Sequence, residues 1–388
     1  MRSMMRAAIS VASRPRTGEG QAGMSAPSRI LLAAGGTGGH LFPAEALSHV
    51  LRARGHHVML VTDERAAPFA GQFPAESKHA VPSATPSGGG IIGKLRAGLV
   101  LVKGVIAARR LLAELEPDLV VGFGGYPTVP PLLAASLSGR KALLHEQNAV
   151  IGRANRFLAG RVTAIATGFP QVKGIPDALQ AKCRHIGNPV RPAVIEAAAT
   201  PFLPLEPGGR LRLLVTGGSQ GARIMTEVLP GAIGRFPAEM RERIDLVQQA
   251  RQEDIPRLKH AYGLINFPAE IQPFFKDLPA RIAQAHLVIG RAGASTVAEL
   301  AVIGRPSILV PLPGSLDQDQ AANASVLEAQ GASIRVLQPE FFPRKLADLL
   351  AELLADPSRL TLMAGAAKSA GMPRAAERLA DLVEELTA

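Results

Sequence analysis

Ile30-Leu31-Leu32-Ala33-Ala34 runs directly into Gly35-Gly36-Thr37-Gly38-Gly39-His40, an apolar stretch that breaks into a turn with almost no side chains. The pattern returns at Leu211-Arg212-Leu213-Leu214-Val215-Thr216, followed by Gly217-Gly218-Ser219-Gln220-Gly221-Ala222-Arg223. A short buried strand, a glycine turn and a helix start bring backbone N–H groups close to phosphate in α/β proteins. One such turn is a weak signal. Two, roughly half a chain apart, predict two similar domains facing one another across a cleft, and a nucleotide-using enzyme.

Outward from the first turn, strand and helix patterns alternate. Ala44–Arg54 reads as a helix ending at Gly55, His57–Thr62 as a strand, and Leu99–Leu115 as a helix. Leu119–Phe123 and Lys141–Leu144 read as further strands. This order predicts a parallel sheet with helices on both faces. A break comes at Gly187-Asn188-Pro189-Val190-Arg191-Pro192, and Pro201–Gly209 reads as a linker. The pattern then restarts with strands Leu211–Thr216, Ile244–Gln248, Leu287–Gly290 and Ser307–Pro311. Pro373–Leu386 carries apolar residues at helical spacing with proline near its first turn. The expected division is an N-terminal extension (1–28), a first domain (29–187), a second domain (188–372) and a final helix (373–388).

The 388 residues suffice for two domains of ordinary size, and 47% of them are apolar. Trp is absent and aromatics are few, which argues against stacking platforms for nucleic acid or carbohydrate. The net charge of +11 favours phosphate or an anionic lipid surface, and fits a solvated basic surface equally well. Cys183 is the only cysteine, so an internal disulfide or multi-Cys metal site is excluded, and a reducing compartment fits. No stretch of apolar residues is long enough to span a membrane. The expected translation start is Met24, a reading that finding Met1 or Arg2 at the mature N-terminus would overturn.

Some motifs fail on inspection. Gly88-Gly89-Gly90-Ile91-Ile92-Gly93-Lys94 is followed by Leu95 where a P-loop needs a magnesium-binding hydroxyl, and no strand precedes it. His145-Glu146 has Ala149 where a zinc-protease helix needs its second histidine. Asp317-Gln318-Asp319 reads as a magnesium pair or, more simply, as a solvated turn and helix cap. Neither glycine turn completes G-x-G-x-x-G with an acidic residue at the usual distance, which weakens a nicotinamide reading.

Others carry chemistry. His40, at the end of the first turn, is placed to accept a proton near neutral pH, or to make a local helix-start bond. The turn Gly217–Gly221 offers N–H groups, a hydroxyl and a helix dipole to a diphosphate, or is simply a tight turn. In Arg291-Ala292-Gly293-Ala294-Ser295-Thr296-Val297-Ala298-Glu299, Thr296-x-x-Glu299 is a capping-box pattern. Its alternative has Glu299 accepting from a ribose diol. His145-Glu146-Gln147-Asn148 is a polar cluster after an apolar strand, where a parallel sheet faces its ligand crevice. Ile91–Arg110 mixes apolar residues with Lys94, Arg96, Lys103, Arg109 and Arg110, which suits an anionic membrane surface or a core helix with a basic outer face.

Together these segments resemble the MurG family of peptidoglycan glycosyltransferases from about Arg29 to the C-terminus. The motifs that carry the resemblance are Gly35–His40, Gly124-Gly125-Tyr126-Pro127-Thr128, His145–Asn148, Gly187–Arg191, Gly217–Arg223, Arg291–Glu299 and Asp317–Asn323, in one order. The resemblance implies a GT-B fold, two Rossmann-like α/β domains with parallel sheets facing across a cleft, the last helix returning to the first domain. It implies an inverting, metal-independent and cofactor-free transfer of N-acetylglucosamine from UDP-N-acetylglucosamine (UDP-GlcNAc) to the 4-hydroxyl of undecaprenyl-diphosphate-linked muramoyl-pentapeptide (lipid I). The implied partners are UDP-GlcNAc, lipid I at an anionic membrane surface and other cell-wall synthesis proteins, with no nucleic acid. The implied place is the cytoplasmic face of the bacterial inner membrane.

Carried over residue by residue, Thr37, Gly38 and Gly39 border the donor, and Asn148 and Arg191 contact it. Ser219 meets the diphosphate, and Phe275 stands where a backbone contacts uracil. Ala294, Ser295, Thr296 and Glu299 hold phosphate and ribose, with Glu299 on the ribose hydroxyls, and Gln320 contacts the sugar. Tyr126 and Glu146 lie on the acceptor side, and His40 is the expected base. Two departures stand out. Gln248-Gln249-Ala250-Arg251 lacks the family's His-Gln-Gly, and Thr85–Leu95 lacks its Leu-Arg-Gly and carries three consecutive glycines. A UDP-GlcNAc 2-epimerase would need paired acid and base carboxylates, and Glu146 and Glu299 already have other roles. A membrane-associated scaffold would leave the two phosphate-type turns unexplained.

Overall fold

The computed structural model describes residues 26–35, 38–63, 73–84, 90–218, 221–315 and 318–388, without the side chains of 91, 92 and 94. Expectations resting on residues 1–25, Thr37, Ser219, Asp317 and the stretch 85–89 lie outside them. In β1 (Arg29–Ala33), Ile30 and Leu32 enter one core with Leu41, Leu47 and Leu51. Leu31 and Ala33 enter another with Leu112 and Leu132. Successive side chains of a strand alternate faces, so a strand covered by helices on both faces is apolar at every position.

Eight of the thirteen strands among the described residues correspond to runs read from the sequence or lie within a residue or two of them. The first sheet comprises β1, β2 (His57–Thr62), β3 (Ser77–Ala80), β4 (Leu119–Gly122), β5 (Ala142–Glu146), β6 (Ala164–Thr167) and β7 (Cys183–His185). Their spatial order is β3-β2-β1-β4-β5-β6-β7. The second comprises β8 (Leu211–Thr216), β9 (Ile244–Gln249), β10 (Ala269–Gln272), β11 (Leu287–Gly290), β12 (Ser307–Leu309) and β13 (Ser333–Arg335), in the order β10-β9-β8-β11-β12-β13. Among the described residues these strands pair in parallel throughout. The direction in which successive strands are added reverses between β1 and β4 in one sheet and between β8 and β11 in the other, and such switch points are where open α/β sheets bind ligands.

Several expected bounds shift. The first helix is Gly38–Ala53, not Ala44–Arg54, and grows straight out of the glycine turn with Pro43 inside it. The basic apolar helix is Gly90–Leu115 rather than Leu99–Leu115. His145 and Glu146 end β5 rather than following it. The last helix is Ala375–Thr387, and Pro373 precedes it instead of lying in its first turn. Its Leu379, Ala380, Leu382 and Val383 pack with Ile30 and Leu32 of β1. Arg54 pairs with Asp381 and Glu384 at 2.8 Å, and His56 Nε2 lies 3.0 Å from Glu384. The Pro/Gly stretch after residue 200 is anchored by the buried Arg305, whose Nη2 donates to the carbonyls of Thr200 (3.0 Å) and Pro201 (3.2 Å).

Candidate active site

The first site element is the turn after β1. His40 is the third residue of the helix Gly38–Ala53, and its ring lies against Gly124 and Gly125, just past β4. A Cβ on Gly125 would come within 3.3 Å of Nε2, and φ of +86° and +74° at the two glycines is unfavourable for other residues. The imidazole is densely surrounded, and burial lowers its pKa, against the opposing influence of the Phe123 carbonyl, the Gln147 side chain and Asp319. It is therefore neutral at pH 7, the form a base requires. Gly38 and Gly39 form the first turn of the same helix, and Tyr126 opens the single turn Tyr126–Thr128, half-buried beside the apolar core.

At the end of β5, Glu146 is buried and both its oxygens are engaged. Oε1 accepts from the Asn148 N–H (2.9 Å) and side chain (3.3 Å), and Oε2 from the Gly152 N–H (3.0 Å) and Asn155 (2.7 Å). Desolvation raises its pKa, and those four donors oppose the rise. The carboxylate shapes the loop carrying Asn148. Asn148 Oδ1 in turn accepts from Asn323 Nδ2 at 3.0 Å, and Asn323 Oδ1 accepts from the Ala149 N–H at 2.8 Å. These bonds join the two halves of the molecule at the carboxyl ends of their strands.

Arg191 makes the second junction. Its guanidinium lies 4.1 Å from the centre of the Phe42 ring in the first helix, and Nη2 donates to Glu299 Oε1 at 3.0 Å. The capping reading of Thr296-x-x-Glu299 is corrected here. The helix Ala294–Ile303 is capped by Gly293, so Thr296 and Glu299 both lie inside it, too far along for a capping box. Glu299 is buried, which raises its pKa, with Arg191 opposing. Ala294, Ser295 and Thr296 form the first turn, whose N–H groups have no partner within a helix. The Ser295 hydroxyl is buried without a partner among the described residues.

Phe275 is buried in the core with the Arg281 guanidinium 4.5 Å from its ring centre. Gln320 Oε1 accepts from the N–H groups of Ala292 (3.3 Å) and Leu312 (3.0 Å). Asp319 begins the helix Asp319–Ala329, and among the described residues no three metal-ligating side chains come together.

Gln249, unremarked as a site residue in the sequence, organises the second glycine turn. Its Oε1 accepts from Thr216 Oγ1 (2.9 Å) and the Gly217 N–H (3.2 Å), and its Nε2 donates to the carbonyls of Gly218 and Pro273 (both 3.2 Å). A Cβ on Gly217 would collide with the Ala222 nitrogen, so the turn needs glycine there. Gln248, at the place of the family's histidine, accepts from the Tyr262 hydroxyl at 2.6 Å. The signal that could have found Gln249 is a polar residue ending an apolar strand beside the first strand of its sheet. A hollow of about 410 Å³ lined by Arg210, Arg241, Asp245 and Phe267 lies at the opposite, amino-terminal ends of β9 and β10, away from these groups.

Comparison with known proteins agrees with this geometry. Residues 30–167 match the glycosyltransferase family 28 N-terminal domain, and residues 212–379 its C-terminal domain. A protein of Methylobacterium nodulans is 59% identical over 358 residues, covering 92% of this chain and 96% of its own. One of Rhodopseudomonas palustris is 56% identical over 357 residues, with the same coverages. Both are named UDP-N-acetylglucosamine–N-acetylmuramyl-(pentapeptide) pyrophosphoryl-undecaprenol N-acetylglucosamine transferase. The crystal structure of Acinetobacter baumannii MurG superposes with a TM-score of 0.75 at 28% identity, covering 92% of this chain and all of that one. A UDP-N-acetylglucosamine 2-epimerase structure from Listeria monocytogenes, at 15% identity and a TM-score of 0.64, shares the fold alone. With both domain models matched in order along most of its length, this chain belongs to glycosyltransferase family 28.

Proposed function

We propose that this glycosyltransferase moves N-acetylglucosamine from UDP-GlcNAc to the 4-hydroxyl of the muramoyl sugar of lipid I, with inversion and without metal. The observation that carries this reading is the pairing of Asn148 with Asn323, and of Arg191 with both Phe42 and Glu299, where the two sheets' carboxyl ends join, in a chain 59% identical to a relative named for this transfer.

The acceptor hydroxyl attacks C1 of the donor sugar as its bond to the diphosphate oxygen breaks. The hydroxyl proton passes to His40 Nε2, and UDP departs with the bonding pair. Growing charge on the diphosphate is met by the free N–H groups of Ala294, Ser295 and Thr296 and by their helix dipole, with Ser219 in the other glycine turn. Thr37, Gly38 and Gly39 border the sugar, where side chains would obstruct it. Glu299 takes the ribose hydroxyls while Arg191 holds its other oxygen. The Phe275 backbone meets uracil, Gln320 and Asn148 meet the sugar, and Tyr126 lines the acceptor side with Glu146 beneath it. Replacing His40 with Ala lowers kcat by about 10²–10⁴-fold with little change in donor KM. Unchanged kcat removes His40 from this role.

The acceptor is lipid-linked, and the helix Gly90–Leu115 supplies a surface for it. Leu95, Leu99, Val102 and Ile106 are 50–65% exposed in one stripe, flanked by the exposed cations Arg96, Lys103, Arg109 and Arg110. Such a stripe docks on anionic lipid headgroups. No helix among the described residues is long and apolar enough to cross a membrane. Contact with other cell-wall synthesis proteins belongs to the same proposal.

The deciding assay is UDP release from UDP-GlcNAc with and without lipid I in excess EDTA. Acceptor-dependent release supports the proposal. Release only after magnesium is restored returns the Asp317/Asp319 pair to the chemistry. Absence of release under both conditions, from folded protein, overturns the assignment.

A further inference from the structure

Beneath His40 lies a buried chain of polar groups with a defined direction. His145 Nε2 lies 3.2 Å from the Gly187 carbonyl, and its Nδ1 lies 3.0 Å from Gln147 Nε2. Gln147 Nε2 also donates to the Phe123 carbonyl at 2.8 Å, and the Gln147 carbonyl accepts from Asn188 Nδ2 at 2.9 Å. A backbone carbonyl only accepts, so both ends of the chain are fixed. Gly187 forces the His145 proton onto Nε2 and leaves its Nδ1 an acceptor. Phe123 forces the Gln147 amide to present its NH₂ on that side.

Gln147 Oε1 is thereby directed elsewhere, and it is buried without a partner among the described residues. His40 Nδ1 is likewise buried without a partner. The Gln147 side chain and the Phe123 carbonyl are the neighbours whose hydrogen bonding favours a proton on His40. The two side chains are neighbours, each with a buried polar atom that lacks a partner, and such atoms are costly unless one donates to the other at some stage of the reaction.

We propose that Gln147 is a positioning residue that holds His40 in the Nδ1–H tautomer, through a neutral relay Gly187–His145–Gln147–His40. The proposal rests on His40 being the base. Oε1 of Gln147 accepts from His40 Nδ1–H, which leaves Nε2 as the bare nitrogen facing the acceptor hydroxyl. When Nε2 takes the proton, Nδ1–H stays in place and its bond to Oε1 shortens. No proton travels along the relay, so Gln147 and His145 stay neutral while His40 alone becomes charged. The arrangement supplies the orienting function that a buried carboxylate gives a catalytic histidine elsewhere, without placing a negative charge beside the departing diphosphate. The other charged or titratable groups acting on His40 are Asp319, from the second domain, and His145 itself.

Two measurements test this. In full-length protein labelled with ¹⁵N-histidine, the His40 ring nitrogens at pH 7.5 are expected to show Nδ1 protonated and Nε2 bare. Gln147→Leu is expected to mix the tautomers and lower kcat by about 10–100-fold, with donor KM changed little, the scale seen when a functional histidine loses its orienting partner. The more conservative Gln147→Glu places a carboxylate at the same spot. It is expected to move the acid limb of the kcat profile upward by about one pH unit or more, because an adjacent anion favours the imidazolium. A merely structural Gln147 would lower activity by one factor at all pH values and leave the limb where it was. An Nε2–H tautomer in the unsubstituted protein, or an unmoved limb in folded Gln147→Glu, overturns the relay. The His40→Ala assay judges the base separately, since the nitrogen spectrum is read without turnover.

Discussion

His145 is wholly buried at the end of β5, and desolvation pushes its pKa down from 6.5 to about 4. The unfolded chain therefore takes up this proton near pH 6.5 and the folded chain only near pH 4. The contribution to stability is complete above the unfolded value and is lost as pH falls through that window, up to about 3 kcal/mol. Urea unfolding at pH 7 and pH 5 should show the loss, and His145→Gln should show a smaller dependence on pH. Glu299 allows a second prediction. Glu299→Ala removes the Arg191 partner and the proposed ribose acceptor, so KM for UDP-GlcNAc should rise about 10–100-fold, the worth of a charged hydrogen bond. An unchanged KM would remove Glu299 from the donor site. At this scale the sequence named His40, Arg191 and Glu299 but not Gln147 or Gln249 as individual roles. Glutamines acquire such roles only through what lies across from them, and those partners are distant in the chain.

Elements were legible where both faces are covered. β1, β2, β8 and β11 read as apolar runs because, after the first residue of β1 and of β2, every position is buried or nearly so. β3, β7, β10 and β13 did not, since each is a sheet-edge strand whose residues are mostly polar and partly exposed, and the buried β6, only four residues with two alanines, escaped notice as well. Two predictions belong to helices. Leu95→Glu with Leu99→Glu should weaken binding to anionic vesicles by an order of magnitude or more while leaving the melting temperature unchanged, because neither side chain packs inside the protein. An equal loss of melting temperature would mark the stripe as part of the fold. Leu379→Ala in the last helix empties a fully buried site between that helix and β1 and should cost about 2–5 kcal/mol in urea unfolding.

At the scale of the whole molecule, two doubly covered sheets meet through contacts that include Asn148–Asn323 and the Arg191 guanidinium on the Phe42 ring. The net charge of +11 acts over the same scale. Association with vesicles containing about one-third anionic lipid should weaken at least tenfold between about 0.05 and 0.5 M salt, as the screening length shrinks from beyond 10 Å to a few ångströms. Salt-independent binding would assign the attachment to the apolar stripe alone.

The amino-acid sequence determined, without any coordinates, that there are two strand–glycine–helix units, where each begins, and that glycine-lined turns end their central strands. Those are local properties, set by hydrophobic run length and by the absence of side chains. Only the tertiary structure decided that Thr296-x-x-Glu299 is no cap, that Glu146 faces inward to hold a loop, and that His40 stands over a buried glutamine. A carboxylate or imidazole has one composition and many uses, and the use is chosen by the donors and acceptors the fold brings to it, from the next loop for Glu146 and from more than a hundred residues away for Glu299.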